Sequence, residues 1–318
     1  MEIISNPTHD EIKKAAKALR DGHLVAFPTE TVYGLGADAI NEKAVSRIYS
    51  VKGRPTEHPL IVHISAINQL DKWALNIPEY AIKLAKNFWP GPLTLILSRT
   101  KLAKNFVTGG QASVGLRVPR HPVALELLKQ FEAIGGYGIA APSVNRFGAV
   151  SATSGLSAQD EVGTYLSDAD LILDCAQCLV GLESTIISCL TDYPTVLRPG
   201  PITAEMIFEV TGLKLEKFNS DLKIQTSGQF KSHYAPKAQV VLNQNPTLGD
   251  GFLALANIQT PKGAIRLASP CDVEQYAQVL YSALRLGDSK NLKKIVAVLP
   301  EGIGLALAIK DRLTKASG

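Results

Sequence analysis

The sequence has no apolar run approaching the ~18 residues that a membrane-spanning helix needs. Its opening stretch, MEIISNPTHDEIKK, has no basic region leading into an apolar one, so a secretory signal is not expected. Four cysteines in 318 residues cannot make a disulfide scaffold, and a reducing cytoplasm is the expected setting. Without a Gly-Lys dipeptide there is no P-loop. His-Glu-x-x-His and Gly-x-Ser-x-Gly are also missing, which removes the common zincin and hydrolase signatures. Cys175 and Cys178 form a Cys-x-x-Cys pair, but with no second pair a four-cysteine zinc site cannot be assembled. The pair follows a strand with no clear helix to lower a thiol pKa, so structural or incidental thiols are expected rather than a redox couple. A large charge of one sign is lacking too: 33 basic and 29 acidic side chains leave +4. That admits an anionic ligand without arguing for nucleic acid. No internal repeat or low-complexity tract is present.

What is there supports a sizeable core: 46% of residues are hydrophobic and 19% charged. At about 150 residues per domain, the length fits roughly two domains. Thr8 followed by Glu11 is a capping box for a helix with Ile12, Ala15, Ala16 and Leu19 on one face, ended by Gly22. HLVAFPT is a buried strand, and Asn41 caps a helix that stops near Gly53 and Pro55. PLIVHIS, LTLILS, SVGLRV, GIAAP, LILDC, STIISCL and TVLRP read as further strands, with a helix from Glu79 to Phe88 and others centred near 127, 161 and 207. Several strands follow one another without a helix between them, so a mixed, twisted α/β sheet is expected over residues 1–211. Residues 212–236 have little apolar periodicity and read as a linker that could act as a lid. Residues 237–318 then read as a small Rossmann-like α/β domain: the strands QVVLN and FLALAN, a helix from Asp272 to Leu286, the strand KIVAVLP, and a last helix ending near Lys315.

The informative pieces are polar and glycine-rich and sit at strand ends. In PTETVYGLG, glycines let the backbone approach a ligand and threonine hydroxyls can hold a polar one, though an ordinary glycine turn fits as well. Gly34-Leu35-Gly36 and Gly302-Ile303-Gly304 both look like dinucleotide-fingerprint fragments, but turn glycines are the expected reading. Lys52-Gly53-Arg54 could grip phosphates or offset a helix dipole. His63 interrupts an apolar strand, as a core residue or a ligand. Arg117 within a strand needs an anion, either a bound carboxylate or an internal Asp or Glu. Ala141, Ser143 and Asn145, then Ser151 and Thr153, place small and hydrogen-bonding residues after a strand. GLESTI, LRPGP and SHYAP complete the set, and together they suit a phosphorylated ligand.

In their order and spacing, TETVYGLGA, KGRP, PLIVHI, RVP, APSVN, ESTI, LRPGPI and HYAP resemble the YrdC-like threonylcarbamoyl-AMP synthases in their longer two-domain form. The pieces cover residues from about 20 to 236, and the GIGLALAIKDRL ending is similar to that family's C-terminal domain. The resemblance implies a nucleotidyltransferase: L-threonine, bicarbonate and ATP give threonylcarbamoyl-AMP and pyrophosphate. The product would serve threonylcarbamoyladenosine formation in tRNA beside the anticodon, through a downstream transferring machinery, with weak direct tRNA contact allowed. By position, the catalytic hallmark falls on Lys52, Arg54, Ser143 and Asn145. ATP would be held by Arg54, His58, Ser113, Ser143, Ser151, Arg198 and Tyr234, and threonine by Thr31, His63, Arg117, Ala141 and Ser184. Mg2+ would be held mainly through the ATP phosphates. Two other readings stand beside this one. An RNA-binding or ribosome-associated module lacks a basic stripe interleaved with aromatics. A carbamoyl-adenylate enzyme of the hydrogenase-maturation type lacks its extra domains with clustered cysteines.

Overall fold

The computed structural model describes residues 1–216 and 233–318. It begins with β1 (Glu2–Ser5), α1 (His9–Arg20), β2 (Val25–Phe27), β3 (Gly34–Asp38), α2 (Glu42–Lys52) and β4 (Ile61–His63). Next come α3 (Leu70–Trp73), β5 (Ala74–Leu75), α4 (Glu79–Phe88), β6 (Leu93–Arg99), α5 (Asn105–Thr108), β7 (Ser113–Arg117), α6 (Pro122–Ala133) and β8 (Ile139–Ala140). The first unit closes with α7 (Gly155–Val162), β9 (Leu171–Asp174), β10 (Thr185–Ser188), β11 (Thr195–Arg198) and α8 (Ala204–Thr211). Its strands form one mixed sheet in the order β1-β9-β2-β3-β8-β4-β7-β6-β10-β11, with β5 paired to β6.

Local chemistry sets the helix ends that matter. The Thr8 hydroxyl and the Glu11 carboxylate cap each other's backbone at the start of α1. The Asn41 side chain accepts from Ala44 N–H to start α2, and Gly53, at φ +61°, ends it in the left-handed region. That sharp stop delivers Lys52 and Arg54 to the same neighbourhood.

Residues 34–38 depart from the sequence expectation. They form not a glycine turn but the strand β3, pairing antiparallel with both β2 and β8. The glycines serve close packing there: a Cβ on Gly36 would lie 2.8 Å from Phe27 and 2.9 Å from Ile139. Periodicity likewise does not reveal β1 or the later strand Ile265–Ala268.

In the centre of the sheet, β4 runs parallel to β7 and antiparallel to β8, with His63 opposite Arg117 and Val62 opposite Ala140. Alternation turns Val62, Leu116 and Ala140 into the main core. Ile61, His63 and Arg117 therefore share the opposite face.

The second unit comprises β12 (Gln239–Leu242), β13 (Gly251–Leu253), β14 (Ile265–Ala268), α9 (Val273–Ser289), β15 (Lys294–Ala297) and α10 (Leu305–Ala316). Its sheet is wholly parallel in the order β12-β15-β13-β14. One apolar cluster joins this sheet and its helices to Val32, Val150, Leu182 and Tyr234 of the earlier chain, so the two units share a buried seam. Most of the expected linker, residues 217–232, lies outside the described residues. No helix among the described residues is long and apolar enough to cross a membrane.

Candidate active site

A cavity lies where β3, β4, β7 and β8 meet the seam. Of the residues singled out from sequence, Thr31, Lys52, Arg54, His63, Arg117, Ala141, Ser143, Asn145, Ser184, Arg198 and Tyr234 line it. His58, Ser113 and Ser151 do not. The His58 ring packs against Phe147, which does line the cavity, at a centroid distance of 5.6 Å. Ser113 lies at the start of β7, paired with Ser98. Ser151 reaches the cavity through its 2.6 Å hydrogen bond to Glu183.

The cations are buried, and the protein itself engages each of them. Lys52 is 2% exposed. Its Nζ donates to the carbonyl of Ser143 at 2.6 Å and to that of Asn145. Burial, followed by the field of Arg54, holds its pKa well below the ordinary lysine value. This ammonium ties the end of α2 to the 143–145 loop, so loss of Lys52 acts on the fold as well as on any phosphate it faces. Arg54 donates from Nη2 to the Pro59 carbonyl at 3.0 Å, and burial lowers its pKa to about 10.

Arg117 finds the internal partner that sequence reasoning had left open. Its Nη2 donates to Glu30 Oε1 at 2.7 Å and to the Thr31 hydroxyl at 2.9 Å, and its Nε to the Gly91 carbonyl at 3.2 Å. Glu30 Oε2 accepts from the backbone N–H of Arg120 at 2.9 Å, so this carboxylate is anchored from two sides. Arg198 donates from Nε to the Ser184 carbonyl at 3.0 Å and from Nη2 to the Ser184 hydroxyl at 3.1 Å.

Three lining groups are buried with polar atoms that have no partner among the described residues: both ring nitrogens of His63, Oδ1 of Asn145 and Nδ1 of His233. A buried polar atom without a hydrogen bond costs about 1–3 kcal/mol, so these atoms mark where a polar ligand is favoured. Burial, then the neighbouring Arg117, lowers the His63 pKa to about 3; burial does the same for His233. Both rings are therefore neutral near pH 7 and can each offer one donor and one acceptor.

Sequence reasoning did not single out Glu183, Tyr33, Phe147 or His233, which also line the cavity. Glu183 and His233 lie inside the quoted GLESTI and SHYAP pieces, and a carboxylate next to the candidate Ser184 was the available signal. The Cys-x-x-Cys thiols are free, and burial raises both pKa values, that of Cys178 to about 12, so neither is a thiolate nucleophile near pH 7. The described residues contain no group of three His, Cys, Asp or Glu side chains able to hold a metal. The oxygens of Glu30 and Glu183 all accept from protein donors.

Arg117 on a central strand, Lys52, Arg54 and Arg198 from the surrounding elements, and buried polar atoms without partners among the described residues meet in one cavity of a mixed α/β sheet, a set that suits a polyanionic ligand beside a small polar one. The chain belongs to the Sua5/YciO/YrdC family. That family's model, described as telomere recombination, matches residues 17–200. A second, described as the C-terminal domain of threonylcarbamoyl-AMP synthase, matches residues 202–318. A threonylcarbamoyl-AMP synthase of Pyrococcus abyssi is 38% identical over 97% of this chain and 94% of its own length. One from Bacillus subtilis is also 38% identical, over 97% of this chain and 93% of its own. A crystal structure of P. abyssi Sua5 complexed with L-threonine superposes with a TM-score of 0.88 at 35% identity, covering 99% of this chain and 97% of that one. Full-length HypF, at 20% identity and a TM-score of 0.51, shares the fold alone.

Proposed function

We propose that the cavity forms threonylcarbamoyl-AMP from L-threonine, bicarbonate and ATP, releasing pyrophosphate. The observation that carries this reading is the pairing, in one cavity, of a buried cation set (Lys52, Arg54, Arg198) with Arg117 and with neutral atoms of His63, Asn145 and His233 that have no partner among the described residues. Near-full-length similarity to threonylcarbamoyl-AMP synthases supports it.

The threonine amine and dissolved CO2 or bicarbonate combine into a carbamate without help from a protein nucleophile. The carbamate is short-lived, so the protein has to hold it next to ATP and keep water away. A carbamate oxygen attacks the α-phosphorus, the P–O bond to the β-phosphate breaks, and pyrophosphate leaves with the electron pair. Negative charge builds on phosphate oxygens, where Arg54 and Arg198 stabilise it and Lys52 adds its field from beneath the 143–145 loop. Mg2+ enters as part of the nucleotide substrate.

Arg117 meets the threonine carboxylate with the part of its guanidinium that Glu30 and Thr31 leave open. The His63 ring, whose nitrogens lack a full hydrogen bond among the described residues, suits the substrate's polar groups. A pocket that pairs the substrate hydroxyl rejects valine far more strongly than contact with one methyl group rejects serine, which is worth about 1–3 kcal/mol. The product serves tRNA modification through a separate transferring machinery.

The test is pyrophosphate release from MgATP with and without L-threonine and bicarbonate. Turnover that requires both is the expected outcome. Nucleotide turnover indifferent to threonine would overturn the reading.

A further inference from the structure

The second unit has no part in the chemistry above, yet two of its side chains reach the cavity wall. Glu183, 5% exposed, is the carboxylate at the seam. Its Oε1 accepts from the Ser151 hydroxyl at 2.6 Å. Its Oε2 accepts from the Tyr281 hydroxyl of α9 and from Nε of Arg312 of α10, both at 2.8 Å. Arg312 is 1% exposed and also donates from Nη2 to the Pro199 carbonyl at 3.0 Å, beside Arg198 in sequence. Arg285 of α9 donates to the carbonyls of Val150 and Ser151, so the second unit grips the same segment twice. The Tyr234 ring stacks on Tyr281 at 5.8 Å and faces the Arg312 guanidinium at 5.3 Å.

We infer that the C-terminal unit completes the ATP site, with Arg312 and Tyr281 acting as positioning residues that neutralise and orient Glu183. The physical reason is charge. A buried carboxylate on the wall of a cavity for a triphosphate repels that ligand unless a cation cancels it. Arg198 bonds Ser184 and adds its field at Glu183, while Arg312, the stronger of the two charges there, bonds the carboxylate directly. Ser151, Glu183, Arg312 and Pro199 then form one bonded chain. Its orientation depends on helices more than 90 residues further along the sequence than Glu183, as the 98-residue separation of the Tyr281 pair illustrates.

This inference rests on the proposed ATP chemistry, and the experiment keeps the two separable. Arg312→Met, Tyr281→Phe, Glu183→Gln and the doubles Arg312→Met/Glu183→Gln and Tyr281→Phe/Glu183→Gln are compared with the wild-type full chain. MgATP dissociation constants are read by calorimetry, KM and kcat by pyrophosphate release, and folding by circular dichroism and Tm. Arg312→Met is expected to weaken MgATP by about tenfold or more, since removing one partner strands the other's charge. Adding Glu183→Gln should restore most of that loss, which a merely structural defect would not do. Tyr281→Phe keeps the ring stacked on Tyr234 and removes only one donor, so it provides a folded variant with a smaller loss, also relieved by Glu183→Gln. Folded variants that bind MgATP as the wild type does, or doubles no better than the singles, would overturn the inference. Wild-type protein that binds MgATP without threonine-dependent turnover would overturn the proposed reaction instead, and the binding series would still decide the role of Arg312 and Tyr281.

Discussion

Replacing Lys52 with methionine separates two roles that one ammonium group can hold. The stem length and most of the volume survive, so packing changes little. What disappears is the donor to the Ser143 and Asn145 carbonyls and one buried positive charge. Each carbonyl left dry costs about 1–3 kcal/mol, giving a gross loss of about 2–6 kcal/mol. Part of this is returned, because the ammonium no longer has to be held out of water, the same burial that depresses its pKa. A net destabilisation of about 1–4 kcal/mol follows, or roughly 2–16 °C in Tm for a protein of this size. The 143–145 loop should shift once released, and a displacement of about 1 Å at a reacting centre can cost about 10²-fold in rate. Urea unfolding and thermal melts read the first effect, and threonine-dependent pyrophosphate release reads the second. A folded Lys52→Met protein with wild-type stability and no activity would refute the tethering argument and leave a pure phosphate role. Unchanged activity would remove Lys52 from both.

Two further outcomes are expected. Glu30→Gln leaves the Arg117 guanidinium short of a counter-charge, so stability falls by about 1–3 kcal/mol; saturating L-threonine should then raise Tm more in the variant than in the wild type, and equal shifts would place the threonine carboxylate elsewhere. His63 and His233 titrate near 3 in the fold against about 6.5 in the unfolded chain. The unfolded state thus binds more protons between those values, and stability falls as pH drops below about 6.5, by up to about 1.4 kcal/mol per pH unit for each histidine. Glu183, held near 2 against an ordinary glutamate value of 4.5, adds a loss of the same sign below about 4.5. Urea midpoints measured from pH 7.5 to 5 should show the histidine slope, and a flat profile would contradict the burial of both rings.

Elements governed by local chemistry were legible. The Thr8–Glu11 box and the Asn41–Gly53 pair placed α1 and α2 closely, and α4 coincides with the expected Glu79–Phe88. Apolar runs gave most strands of the mixed sheet. What failed was whatever depends on a distant partner. GLGAD has no β-branched residue, and it is a strand only because β2 and β8 flank it and Phe27 needs the space at Gly36. The partner of Arg117 could be narrowed to a carboxylate, but not chosen, since Glu30 lies 87 positions away. Arg312 offered a signal that was missed. It falls on the inward stripe of α10 with Ala308, Ile309 and Leu313, and a charge on an apolar stripe requires a buried partner.

The pattern of satisfied and unsatisfied groups also says how the cavity selects. Lys52 and Arg54 are tied to backbone carbonyls, Arg117 to Glu30, and Arg198 to Ser184. These bonds fix the positions of the charges before any ligand arrives, so the cations supply a preorganised field rather than flexible arms. That field attracts any polyanion of suitable size and by itself discriminates poorly. Discrimination falls to the neutral atoms of His63, Asn145 and His233 that have no partner among the described residues. Each accepts only a group of the right polarity in one direction, and a ligand lacking it leaves the cost of the buried orphan in place. Substitutions at the cations should therefore weaken all nucleotides together. Changes at His63 or Asn145 should alter which amino acid or nucleotide is preferred.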